Sequence, residues 1–205
     1  MNEKRGKIVE ENKLKKLIAE TDFIYYVLII VVACILAIPI FDSKLDVYFD
    51  DGIQHIARAY GTLQSFKEQG LNANIISNFT NNFGYSWNLF YGPLSTYGII
   101  LINFISQSFT TAYKLLTFIC LILSGIFMYK FIISITKNSN TSALVSIIYL
   151  TFPYHLTDLY VRNALGEFMS FMFLPLVFLG LYQLFNTSEN HYYLTFGAVR
   201  INFNT

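Results

Sequence analysis

Six ionisable side chains stand at the edges of long apolar runs in this 205-residue chain. Asp50, Asp51, His55 and Arg58 lie in the stretch Phe49 to Arg58, and Arg162 and Glu167 lie in the stretch Tyr160 to Glu167. Carboxylates can take up a proton, an imidazole can give or take one, and guanidinium groups bind phosphate or carboxylate. Charge at a membrane boundary is costly to desolvate and needs partners or water, so the two clusters mark the expected working face. Each residue also has an ordinary structural use. Arg58 and Arg162 could snorkel to headgroups, Asp50 or Asp51 could cap a helix, and His55 could be a satisfied interfacial histidine.

The elements that must hold these charges are apolar. Hydrophobic residues make up 54% and charged residues 13%, with 20 Phe and 15 Tyr, which is the composition of an integral membrane protein. Six of the fourteen cations, Lys4, Arg5, Lys7, Lys13, Lys15 and Lys16, precede the first apolar run, so the positive-inside rule predicts a cytoplasmic N-terminus. The net charge of +1 gives no reason to expect a nucleic-acid partner. Cys34 and Cys120 sit inside apolar runs, and His55, His155 and His191 are far apart, so neither a disulfide framework nor a Cys/His zinc site is implied.

The predicted fold is an all-α, polytopic transmembrane helical bundle with a juxtamembrane amphipathic helix in its first external loop. Residues 1–22 form a basic cytoplasmic N-terminus. Residues 23–41 form the first span, long enough for a ~30 Å hydrocarbon core and without a signal-peptide cleavage pattern. Residues 42–110 are an external loop, residues 111–199 carry further spans, and residues 200–205 are an atypical tail that reads as truncated.

The later apolar runs are Leu89 to Ile105, Leu115 to Ile135, Ser142 to Leu156 and Phe168 to Phe185, with Tyr192 to Val199 starting like another. If Leu89 to Ile105 crosses, Lys130 and Lys137 fall outside and the Arg162/Glu167 loop falls inside. If it lies at the surface or re-enters, broken by Gly92, Pro93 and Gly98, both lysines become cytoplasmic and both charged clusters share the exterior. The second arrangement is favoured by the charge bias and by the Gly and Pro.

Within the loop, Ile53, Ile56, Tyr60, Leu63 and Phe66 recur at helical spacing, and Asp51, His55, Arg58 and Thr62 share the other side. That pattern predicts a helix lying flat on the membrane with its apolar side down, ended by Gly70. The Asn-rich, aromatic stretch Leu71 to Asn88 reads as a loop able to cover a site.

The acidic-His-Ala-Arg stretch Asp50-Asp51-Gly52-Ile53-Gln54-His55-Ile56-Ala57-Arg58 is followed in order by Phe90-Tyr91-Gly92-Pro93-Leu94, Ala112-Tyr113-Lys114-Leu115, Met128-Tyr129, Pro153-Tyr154, Asp158-Leu159-Tyr160-Val161-Arg162-Asn163-Ala164-Leu165-Gly166-Glu167 and Leu174-Pro175-Leu176. With these motifs the chain resembles bacterial multispanning membrane proteins of the GT-C glycosyltransferase superfamily. It resembles in particular the group labelled 6-pyruvoyl-tetrahydropterin synthase-related membrane proteins, which is similar to YfhO-type proteins. The synthase label does not describe chemistry for this chain, which lacks the histidine cluster of those soluble zinc enzymes.

The resemblance implies sugar transfer from a polyprenyl-phosphate-linked donor to an envelope polymer or lipid acceptor on the extracytoplasmic face of the cell membrane. It makes Asp50, Asp51 and Glu167 the candidate catalytic acids, with Asp51 as base or as a carboxylate facing a divalent metal. Arg58 and Arg162 become the candidates for the lipid phosphate, and His55 for the acceptor or as a partner of Asp51. Glu167 could orient Arg162, and their five-residue spacing predicts a loop or helix start between them. Members of the family are longer, so the chain reads as an amino-terminal part that is not expected to catalyse alone. Two other classes remain: a non-catalytic scaffold or assembly partner in envelope polymer export, which would tolerate loss of the charges, and a transporter, for which no internal repeat speaks.

Overall fold

The computed structural model describes residues 22–41, 50–71, 73–186, 191–194 and 199–202. Three of its helices are long and apolar enough to cross a membrane: α1 (Asp22–Phe41), α5 (Phe109–Thr136) and α8 (Leu165–Asn186, apolar through Phe185). Between them lie α2 (Gly52–Gln69), α3 (Trp87–Phe90), α4 (Leu94–Ser106), α6 (Ser139–Leu150), α7 (Pro153–Thr157) and a π turn, Asp158–Arg162. The 28 residues of α5 reach about 42 Å, and α1, α2, α4, α6 and α8 pack around it.

Small residues let these helices approach. On α1, Ile29, Ala33, Ala37 and Ile40 form one buried stripe, while Phe23, Val27, Val31 and Ile35 point outward. Gly125 of α5 faces that stripe, and a Cβ there would run into Ile29 and Leu150. Pro175 interrupts α8 and has no N–H for the carbonyl of Phe171 four residues earlier. The Tyr149 hydroxyl of α6 donates to that carbonyl at 2.8 Å, replacing the missing bond from a neighbouring helix.

The two ends of the bundle are distinct. At one, Asp22 accepts from Tyr129 and Ser139, which puts the start of α1, the last turns of α5 and the start of α6 together. At the other, Tyr160 donates to the Leu36 carbonyl of α1 and Tyr113 of α5 donates to Asn163 just before α8. The run Leu89 to Ile105 is divided by an extended Tyr91, and α4 keeps only 13 residues, about 20 Å. Its start is held beside α2, and after its end the chain turns back within a few residues into α5, with Gly98 against Leu116.

Three expectations need correction. The run Ser142 to Leu156 is not one helix: α6 stops at Leu150, because Phe152 takes the extended conformation that a following proline favours. The segment starting like another span forms instead an antiparallel pair, β1 (His191–Leu194) with β2 (Val199–Asn202), a strand exception to the all-α bundle in a stretch rich in Tyr, Val and Ile and too short to cross. Third, the polar side of α2 is turned into the protein and is not open to water. Its polar stripe, His55, Arg58, Thr62 and Ser65, is buried, whereas Ile53 and Tyr60 are exposed; Ile56, Leu63 and Phe66 pack at the edge of the core. This burial is stable because every one of those polar side chains meets a fixed partner inside.

Candidate functional site

The fold brings both charged clusters to the Tyr113 end of the bundle. The start of α2 is stitched to the π turn: Asp50 N–H donates to the Val161 carbonyl at 3.4 Å and Asp51 N–H to the Arg162 carbonyl at 2.9 Å. Asp51 occupies the N-cap position of α2, but its side chain makes no capping bond, and both aspartates are exposed. Their carboxylates stand at the surface beside the segment carrying Arg162 and Glu167.

Arg162 and Glu167 form a bidentate pair, with contacts of 2.5 and 3.2 Å. The chain turns between them as their spacing predicts: Asn163 adopts a left-handed conformation, φ 52°, and α8 begins at Leu165. The Tyr154 hydroxyl joins both, accepting from Arg162 at 2.6 Å and donating to Glu167 at 2.8 Å. Arg162 and Glu167 are 36% and 47% exposed, so the triad sits where a ligand can reach it. The Glu167 hydrogen bond holds the Arg162 guanidinium more firmly charged than usual.

The first turn of α8 presents amides that the helix itself cannot satisfy, and side chains from different elements take two in succession. Asp158 Oδ1 accepts from Ala164 N–H and His55 Nε2 accepts from Leu165 N–H, both at 3.2 Å. Tyr91 lies so close over Gly166 that a Cβ there would collide with its oxygen. Glu167 is therefore set by a clamp of α2, the α3/α4 break and the π turn. Burial, then the neighbouring Arg58 charge, lowers His55 to about 4 against the opposing pull of Asp51, which keeps the ring neutral and able to accept. Burial raises the fully enclosed Asp158 carboxyl to about 6.

Two of the candidate site residues lie inside the frame. Arg58 is fully buried; Nε donates to Asn88 and Nη2 to the Tyr91 and Gly92 carbonyls, with the guanidinium 4.6 Å above the Tyr91 ring. Asn88 in turn donates to Thr62 and Ala73, so Arg58 fastens the α3/α4 break to α2. His55, 6% exposed, accepts from the Leu165 amide at the start of α8. Asp158, Tyr91 and Tyr154 are the residues that spacing alone misses as parts of this site. Asp158 and Tyr91 stand in the quoted motifs, but nothing local announces that they meet α8. Among the described residues no group of three His, Cys, Asp or Glu side chains could hold a metal ion.

A cavity of about 770 Å³ opens beside the triad, between the α3/α4 break and α8, with Tyr91, Gly166 and Glu167 at its polar end. The chain is 29% identical over 188 residues, 90% of its length, to a protein of Lactococcus lactis subsp. cremoris (strain MG1363) described as "Uncharacterized protein". It spans about 30% of the length of that relative. No family model and no solved structure matches the chain.

Proposed function

We propose that the chain is the amino-terminal part of a glycosyltransferase-like, multi-pass protein of the cell membrane, with its N-terminus in the cytoplasm. On this reading sugar passes from a polyprenyl-phosphate-linked donor to an envelope polymer or lipid acceptor on the extracytoplasmic face. The observation that carries it is the meeting of exposed carboxylates, Asp50, Asp51 and Glu167, with Arg162 at one end of the bundle, opposite the end holding Asp22 and the last turn of α5. A carboxylate there can take the proton of an acceptor hydroxyl, and Asp51, exposed and not used as a cap, is the best placed. The same arrangement supports the cytoplasmic N-terminus: Lys130 and Lys137 share an end with the start of α1, where the positive-inside rule puts cytoplasmic lysines.

One observation favours the second reading, a scaffold or assembly partner in envelope polymer export. The Arg162 guanidinium is already engaged by Glu167 and Tyr154 and has little left to offer a phosphate. A transfer assay separates the two. The full-length protein in proteoliposomes, given a short-chain polyprenyl-phosphate hexose and envelope lipids, is expected to release the lipid phosphate, and Asp51→Asn to abolish release with folding intact. Full complementation of a deletion strain by Asp51→Asn would instead establish the scaffold. Impermeant maleimide labelling of Val161→Cys in intact cells checks the topology: this side chain is 54% exposed, and protection would overturn the shared external face.

A further inference from the structure

The cavity beside the triad is graded in polarity. On α8, Gly166, Ser170, Phe173 and Val177 follow at steps of four, three and four, so they form one stripe about 16 Å long. Its beginning is polar, with Glu167 at the rim and Ser170 bonded back to the Gly166 carbonyl; its continuation through Phe173, Leu174 and Val177 is hydrocarbon. Across from the polar end stands Ser95 of α4, which is 2% exposed and whose hydroxyl has no partner. A buried hydroxyl without a partner carries a desolvation penalty that a ligand's hydrogen bond would relieve.

The charge at the mouth narrows the head of such a ligand. Glu167 and Arg162 cancel in a bidentate pair, and Arg58, whose Nη1 has no partner, is enclosed by its bonds to Asn88 and two carbonyls and does not line the cavity. A phosphate entering here would have to displace Glu167 from Arg162, whereas a hydroxyl can bond Glu167 and Ser95 without breaking the pair.

We propose that the cavity between the α3/α4 break and α8 binds one amphiphile with an uncharged, hydroxyl-bearing head. The head sits at Glu167 and Ser95, and the chain lies along Ser170, Phe173 and Val177. Only if the transferase reading holds is this the acceptor's place, separate from that of the phosphate-bearing donor; the binding itself needs no catalysis.

The test uses the full chain in phosphatidylcholine nanodiscs carrying a trace of diazirine-labelled diacylglycerol, phosphatidic acid or phosphatidylcholine with identical acyl chains. After irradiation, labelling of α8 is divided by labelling of the outward face of α1. Diacylglycerol should enrich on α8 by about tenfold over the other two, the ratio that one buried hydrogen bond brings. Ser170→Trp should abolish the enrichment; Val177→Phe, a milder filling, serves if Ser170→Trp lowers the unfolding temperature. Glu167→Gln, which leaves Arg162 unpaired, should turn the preference toward phosphatidic acid. Equal enrichment of all three lipids would make the groove mere lipid-facing surface, and preference of the unaltered chain for phosphatidic acid would make it an anion site; either overturns the proposal. Enrichment without any sugar transfer by the full-length protein would sink the transferase reading alone, and transfer by it without enrichment would sink the cavity alone.

Discussion

Arg58 and Arg162 carry the same guanidinium beside the same helix terminus, and their surroundings give them opposite work. Arg58 is fully buried and answers to fixed acceptors, two of them backbone carbonyls, so it is part of the frame. Arg162 is 36% exposed and answers to two side chains that can move away from it. The difference teaches that residue type and membrane-edge position nominate a cation, whereas the mobility of its partners decides whether it can meet a ligand.

The largest effect should come from breaking the frame. Arg58→Ala would leave Asn88 and the Tyr91 and Gly92 carbonyls without their donor, a loss of about 3 kcal/mol or more. Thermal unfolding in a fixed detergent would read it. An unchanged midpoint would contradict the framing role of Arg58.

His55 and Asp158 sharpen the comparison through pH, because both are enclosed against the start of α8 and have opposite signs. His55, lowered from 6.5 to about 4, binds fewer protons folded than unfolded, so its contribution is present above pH 6.5 and is lost as pH falls through 4. Asp158, raised from 3.8 to about 6, binds more protons folded, so its contribution is present below pH 3.8 and is lost as pH rises through 6. The swings, each about 2 kcal/mol after solvent screening, oppose each other and should leave the unaltered chain nearly flat between pH 4 and 6. His55→Gln keeps an acceptor for Leu165 and should make stability fall as pH rises over that window; Asp158→Asn should make it rise. Denaturant titrations at several pH values check both slopes.

A smaller loss is expected from Gly166→Ala, whose new methyl would press on Tyr91, about 1 to 3 kcal/mol. Adding Tyr91→Phe removes the colliding oxygen and should recover part of it in the same unfolding assay. The smallest structural effect belongs to Arg162→Gln, which should scarcely move the unfolding midpoint while changing any transfer activity strongly. A large loss of stability there would erase the distinction between the two arginines.

Much of this was legible in local pattern. The Arg162/Glu167 pair, the helix start between them and the break at Gly92 and Pro93 are set by neighbours within a few residues. The orientation of α2 was not, because a 3.6-residue period reports two faces and not which one has partners. Those partners, Asn88, the Tyr91 carbonyl and the Leu165 amide, come from 30, 33 and 110 residues away. Asp158 escaped for the same reason: its type is visible, but its enclosure is a product of the fold.

The proline in α8 has a mechanical consequence. Phe173 and Val177 lie on either side of Pro175, while the clamp on Ala164, Leu165 and Gly166 is two turns away. A bend at Pro175 can therefore widen the greasy end of the cavity with the charged end stationary, and the Tyr149 hydroxyl is the catch that holds the bend closed. Tyr149→Phe should release that catch, seen as faster amide exchange around residues 171–175 with no change at 164–166. The helix then behaves as a lever with one fixed end, and a long hydrocarbon chain could enter sideways from the bilayer without disturbing the groups that would receive its head.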